Sequence, residues 1–483
     1  AEFFRVFEDR DGDSDNDGEP EFVQVGADIP AATDPLVAGI DISAHLFDWA
    51  NARFMLESCV GTTCTEVGRQ SVARLSAAYI TPLSGVGFAV AYSEDGTTLA
   101  VGSPSTSVFL CREIFEAPED EPVDEACEYA FGLETDNPVL FAEFEAEDTE
   151  TITQAGAVSI ITVENSVWVQ QAILTATNYE PGEIFGYSVA ISDDGNTLAV
   201  SALGEDGSST GLNGDEADND AVDSGAVYIF RREQVGDDMI WTQTDYIKAS
   251  NTEGDPDTTD TFAEGDRFGN NIALSGDGLT LVVTAWGEDS NSMLIDVGQD
   301  NNDALSAGAA YVFADTAGTW AQQAYLKASN AGENDLFGSS VAISAAGDRV
   351  TISAINESSA DAADIFNDAA DNAGAVYVFE RSGGMWSQQA YVKPGVIDAR
   401  DEFGFSVAFN GAADRLAVGA PQEDSNAVGV GGSDANNEAE NTGAAYLFAL
   451  NGSAWEQVEF FKASNPDPID EHGFRVLLNR TGD

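Results

Sequence analysis

Residues 374–425 read GAVYVFERSGGMWSQQAYVKPGVIDARDEFGFSVAFNGAADRLAVGAPQEDS. Four apolar runs of strand length lie in this stretch: GAVYVF, WSQQAYVK, FGFSVAF and RLAVGAP. Each is rich in Val, Tyr, Phe and Ala, and each is bounded by Gly, Asn, Asp or Ser clusters that turn the chain. Four short strands amount to one antiparallel sheet, and a recurring sheet of this length predicts the blades of an all-β propeller.

The recurrence is regular. Phe-Gly returns at Phe185-Gly186, Phe268-Gly269, Phe337-Gly338 and Phe403-Gly404, with degenerate copies at Val86-Gly87 and His472-Gly473. A Trp-x-Gln strand answers each of the first five copies, at Trp168, Trp241, Trp320, Trp386 and Trp455. Five repeats are complete. The first carries the insertion FLCREIFEAPEDEPVDEACEYAF, and the sixth starts at Gly473 and yields one strand. AAYITPL, residues 77–83, matches a last strand with no blade before it. The reading is a ring closed by an early strand, so that no sheet edge stays open. Two middle strands of that closing blade are missing. Continuation of the chain past Asp483 is the favoured source, with another chain or the N-terminal hairpins as alternatives. Six blades are expected and seven remain possible.

Lys and Arg total 19 against 85 Asp and Glu, a net charge of −66. Nucleic acid and anionic membrane surfaces need a basic face, so both are excluded as partners. Such acidity suits salty or calcium-containing surroundings, where cations screen self-repulsion. The 27 Phe argue against disorder. Cys59 with Cys64 and Cys111 with Cys127 form two close pairs, read as local disulfides of an oxidising compartment, with four free thiols as the alternative. No apolar run approaches the roughly 20 residues of a membrane span. AEFFRVFEDRD is not a signal peptide, so an exported protein would already have lost its own.

Residues 1–76 stand outside the repeat, which occupies 77–483. EFFRVFE and EFVQVGA read as strands around an acidic turn, and NARFMLESCVGTTCTEV as a second hairpin. These segments resemble the third to last strands of fibronectin type III-like modules, which implies a small β-sandwich-like domain with its first two strands absent. FGFSVAFNGAADRLAVGAP, with GAVYVF and GAAYLF after each acidic loop, resembles the FG-GAP repeat of integrin-α-type propellers, closest to the bacterial secreted form with WSQQAYLKASN strands. The resemblance implies a propeller outside the cell with ligand and calcium loops on one face. Integrin-type calcium loops carry D-x-D-x-D-G between a blade's first two strands. Here those turns are SDDGNTL, SGDGLTL, SAAGDRV and NGAADRL, too short and too poor in carboxylates for the six to eight oxygens Ca²⁺ takes.

The long acidic loops fall instead between the second and third strands. They open on Glu205-Asp206, Glu288-Asp289, Glu357 and Glu423-Asp424. Toward their ends they gather Asp215, Asp218 and Asp220; Asp300 and Asp303; Asp368 and Asp371; Asp434 and Glu438. Hard oxygen donors at one- or two-residue spacing, with Gly for tight turns, suit Ca²⁺. The alternative is a solvated loop whose Asp and Asn side chains cap turns. A sharper match is DRDGDSDNDGEPEF, where Asp13, Asp15 and Asp17 precede Gly18 as in a calcium loop. Its twelfth position is Gln24, and no helix pattern flanks it, so it is a candidate calcium turn and not an EF-hand.

Catalytic signals are weak. Residues 207–211, GSSTG, satisfy G-x-S-x-G in a loop and not on a strand–turn–helix. The chain has only His45 and His472. The tryptophans could stack sugars, but a fixed place in every blade favours packing. The expectation is a non-enzymatic extracellular protein that binds a protein or glycan ligand at a cell surface. The alternatives are a self-associating filament or sheath subunit, and a carbohydrate-binding or hydrolytic propeller.

Overall fold

The computed structural model describes residues 3–9, 23–30, 53–60, 63–71, 87–106, 108–111, 149–152, 154–164, 167–235, 238–253, 265–480 and 482. Two compact units divide the chain, Ala1–Leu83 with Glu113–Asp148, and Ser84–Arg112 with Thr149–Asp483. In the first, Phe3–Asp9 pairs with Val23–Pro30 and with Arg53–Val60, which pairs with Thr63–Ser71. Both expected hairpins are therefore present, in a single four-stranded sheet. A sandwich needs a second layer, and the single sheet among the described residues lends the fibronectin type III-like reading no support. Cys59 and Cys64 are Cα partners across the second hairpin. Cys111 ends the short strand Val108–Cys111, while Cys127, residues 77–83 and Asp13, Asp15 and Asp17 lie outside the described residues.

The second unit holds five four-stranded antiparallel sheets, the blades of a β-propeller. Blade 1 comprises Ala89–Tyr92, Thr98–Ser103, Ala157–Glu164 and Val167–Leu174. Blade 2 comprises Phe185–Ile191, Thr197–Ala202, Ala226–Val235 and Asp238–Ile247. Blade 3 comprises Ile272–Leu274, Thr280–Ala285, Ala309–Asp315 and Trp320–Leu326. Blade 4 comprises Phe337–Ile343, Arg349–Ala354, Ala375–Ser382 and Met385–Val392. Blade 5 comprises Ser406–Phe409, Arg415–Ala420, Ala444–Asn451 and Ala454–Phe461. Residues 374–425 thus supply one blade's worth of strands, drawn from the outer half of blade 4 and the inner half of blade 5. Second strands such as TLAVSA and TLVVTA are buried at every position, because a neighbouring blade covers each face. That is why they read as continuous apolar runs and not as alternation.

The repeat motifs are the joints between blades. Phe185, Phe268, Phe337 and Phe403 are fully buried. Each meets the Tyr and Phe of its own blade's third strand edge-on, as Phe337 does with Tyr377 and Phe379 at 5.3 and 6.1 Å. Such pairs add about 0.5–1.5 kcal/mol each beyond burial. The glycine opening each third strand lies against the Phe-Gly backbone of the next blade, Gly156 against Phe185 and Gly443 against His472 as parallel bridges. His472 therefore fills the Phe slot of a sixth position.

Ring closure shows in the turns between first and second strands. The N–H of Glu94 donates to the Asp193 carbonyl at 3.1 Å, Asp193 to Gly276 at 2.9 Å, and Gly276 to Ala345 at 3.0 Å. Ala345 then donates to Gly411 at 3.4 Å and Gly411 to Arg480 at 3.0 Å. The Arg480 guanidinium returns to Glu94 at 2.6 Å. The circuit has six members, which fixes the blade positions at six. Inside it is an apolar channel of about 320 Å³, lined by Tyr92, Ile191, Leu274, Ile343, Phe409 and Leu477 among others.

Candidate functional site

The acidic loops join second to third strands, and the structure fixes where each begins. The chain has four lysines, Lys248, Lys327, Lys393 and Lys462, each immediately after a fourth strand. All four ammonium groups are buried against the first acid of their own blade's loop. Lys248 reaches Glu205 at 2.6 Å, Lys327 reaches Glu288 at 2.8 Å, Lys393 reaches Glu357 at 2.7 Å and Lys462 reaches Glu423 at 2.5 Å. Three of the glutamates also accept a tyrosine hydroxyl, from Tyr246, Tyr325 and Tyr391, at 2.6, 2.6 and 2.9 Å. Glu357 further accepts Asn330 Nδ2 from the end of the preceding blade at 2.8 Å. Burial lowers the pKa of Lys248, Lys327 and Lys393, and the adjacent glutamate opposes that shift. A second proton of each lysine goes to Ser224 Oγ, Gly308 O, Gly374 O and Thr442 Oγ1 respectively.

Blade 1 is an internal control. The glycine before its third strand donates to the Thr106 carbonyl at 2.9 Å, as Gly308 donates to Glu288 at 2.8 Å, so Thr106 holds the glutamate position. Thr175 follows the fourth strand where the lysine belongs. Both charged partners are replaced together, as expected if either alone would be an uncompensated buried charge.

The second acid of each opening pair has a different task. Asp206, Asp289 and Asp424 accept the backbone N–H of Asp223, Ser306 and Asn441 at 2.8, 2.7 and 2.7 Å. Those three residues adopt left-handed backbone at φ 54°, 49° and 52°. In blade 4 the position is Ser358, whose Oγ accepts the Asn372 N–H at 3.2 Å, so the cap survives without a carboxylate. Each acidic loop is thereby tied at its entrance and its exit.

Beyond the ties the loops stand out from the core. Asp215, Asp220, Asp300, Asp303, Asp368, Asp371 and Glu438 are exposed, and Asp218 and Asp434 half-buried. Asp218 accepts the Asp220 N–H at 3.0 Å and the Ser208 hydroxyl; Asp215 accepts the Ala217 N–H at 3.1 Å. Among the described residues no three acidic, histidine or cysteine side chains converge into a ready-made metal site. Ser209 of the G-x-S-x-G run exchanges hydrogen bonds with the Asp215 backbone.

A further set of acids lies two residues ahead of the Phe-Gly pairs: Glu183, Asp266, Asp335 and Asp401, all buried. Desolvation raises each of them, Glu183 and Asp401 up to about 8 and Asp335 to about 7. These and the four lysines are what motif reading passed over. The signals were a four-fold E/D-x-F-G and a chain whose every lysine occupies one repeat position.

The tryptophans pack between blades. Trp241, Trp320 and Trp386 are under 10% exposed. Trp241 and Trp386 donate to Gln171 and Gln323 of the preceding blade at 2.9 and 2.8 Å. Trp320 Nε1 is a buried donor with no acceptor, because Thr244 stands where the other blades carry that glutamine.

A search of curated proteins returned no match. Solved structures resemble the chain at low identity. The periplasmic gluconolactonase of Pseudomonas aeruginosa is 12% identical, covering 86% of this chain and 93% of its own, at TM-score 0.38. Hydrazine synthase of Kuenenia stuttgartiensis is 12% identical over 83% of this chain and 92% of its own, at TM-score 0.38. Sqt1 of Chaetomium thermophilum is 13% identical over 80% of this chain and 74% of its own, at TM-score 0.37. At those values none of them bears on activity. The FG-GAP repeat family matches residues 168–230, 320–379 and 386–448. Those three segments are FG-GAP repeats, and the five blades with their Phe-Gly joints make the chain an all-β propeller.

Proposed function

We propose that the chain is an extracellular, non-enzymatic propeller whose acidic loops mediate adhesion or surface assembly, with Ca²⁺ stiffening them. The observation that carries this reading is the anchoring. Four loops are each fastened by a buried Glu–Lys pair, while their acidic middles reach solvent. A rigid frame with long, divergent loops is how scaffolds present binding residues. The net charge of −66 supports surroundings rich in cations.

One observation favours the filament reading as second. Trp168 is 40% exposed, and Phe88, Val90 and Tyr92 of the same blade exceed 50%, whereas the corresponding tryptophans of blades 2 to 4 are covered by a preceding blade. That face suits a neighbouring subunit. Sedimentation of the full chain in millimolar calcium and in EDTA, with a glycan and matrix-protein binding array, separates the readings. Adhesion predicts a monomer with calcium-dependent binding. Polymerisation supports the filament, and turnover of any polysaccharide on the array overturns both.

A further inference from the structure

Every lysine of this chain is already committed to a glutamate, yet carboxylates remain inside the fold. Glu183 is 5% exposed and Asp266 6%. Each accepts one backbone N–H, from Glu180 and Glu253 respectively, and the other oxygens, Glu183 Oε2 and Asp266 Oδ2, have no hydrogen-bond partner. The groups acting on Glu183 are Glu205, Glu180 and Asp206; those acting on Asp266 are Glu288, Glu253 and Asp289, and the two lysines that also feel Asp266, Lys248 and Lys327, are each hydrogen-bonded to their own glutamate. Both segments lie alongside the loop entrance, with Gly204 and Gly287 donating to the Glu183 and Asp266 carbonyls at 3.1 and 3.3 Å. A buried carboxylate among carboxylates must be neutralised, by a proton or by a cation from solution.

We infer that Glu183 with Asp206, Asp266 with Asp289, and Asp401 with Asp424 form a repeated Ca²⁺ site at the entry to blades 2, 3 and 5. Glu183 and Asp266 each bring a buried oxygen with no hydrogen-bond partner and Asp401 a buried carboxylate, while the cap occupies only Oδ1 of Asp206, Asp289 and Asp424. An all-oxygen donor set suits Ca²⁺ and not a softer metal. Blade 4 offers Asp335 alone, because Ser358 replaces the second acid, and blade 1 has Thr106 at its loop entrance. The site deepens the calcium reading above and rests on it: it moves the ion from the exposed loop middles to the loop roots.

Equilibrium dialysis of the full chain against radioactive calcium, run from neutral to alkaline pH because burial holds Glu183, Asp266 and Asp401 above the usual carboxylate range, tests it. One ion per pair is expected. E183Q and D266N should each lose one ion, the triple variant with D401N should lose all of them, and S358D should gain one at blade 4. These swaps are near-isosteric, and S358D gives a readout if a neutralised variant misfolds. Full calcium binding in the triple variant would overturn the inference while leaving the calcium reading intact. No binding by the unaltered chain would overturn both, and equal displacement by the same ionic strength of sodium would reduce the effect to screening and overturn the site.

Discussion

Lys327→Met is expected to lower the free energy of unfolding by about 3–5 kcal/mol, because it strands a buried carboxylate. Glu288 lies 1% exposed, and its Oε2 accepts from Lys327 at 2.8 Å. Methionine fills a similar volume, so little of the loss comes from a cavity. The side chain that remains, Glu288, keeps its hydrogen bond from Tyr325 but has no counter-charge. The double variant Glu288→Thr with Lys327→Thr, which copies the Thr106 and Thr175 of blade 1, should recover at least half of the loss. Urea unfolding reads both as shifts in midpoint. A single-variant cost below about 1 kcal/mol, the range of exposed pairs, would remove the pair as an anchor.

Gly308→Ala should cost about 3 kcal/mol or more and loosen the joint between blades 3 and 4. Gly308 has φ +80°, and a Cβ there would sit 2.0 Å from Phe337 O and 2.6 Å from Phe337 N. Both are backbone atoms, so no rotamer change relieves the contact. Gly318→Ala is the control: φ is +81° and nothing lies within 4 Å of the added carbon. It carries the backbone strain alone, about 1–2 kcal/mol. Amide exchange in Phe337–Ile343 should quicken for Gly308→Ala and stay unchanged for Gly318→Ala. Equal effects would mean that the joint is not a close backbone approach.

The blades were legible because their physics repeats. Phe-Gly, the glycine ahead of each third strand and the tryptophan solve recurring packing problems at the joints between blades, so the copies display one pattern. The acidic loops were legible in place but not in role. Glu205 and Asp206 are neighbours in sequence, yet one turns inward to Lys248 and the other caps the left-handed Asp223. Composition gives both residues the same weight. Their partners lie 43 and 17 positions away, on a strand end and a loop exit. What would have separated them was the lysine pattern and the joint loss of both partners in blade 1. The acids ahead of Phe-Gly were hidden for a similar reason, since a lone Glu or Asp in a turn reads as solvated until its burial is known.

The acidic loops hang from sealed Glu–Lys anchors, and amine-reactive labelling with mass mapping tests that most directly. The native full chain should take label at its α-amine only, with Lys248, Lys327, Lys393 and Lys462 unmodified until denaturant exposes all four together. Modification of any of these lysines in the folded protein, at the rate of a free ε-amine, would contradict it.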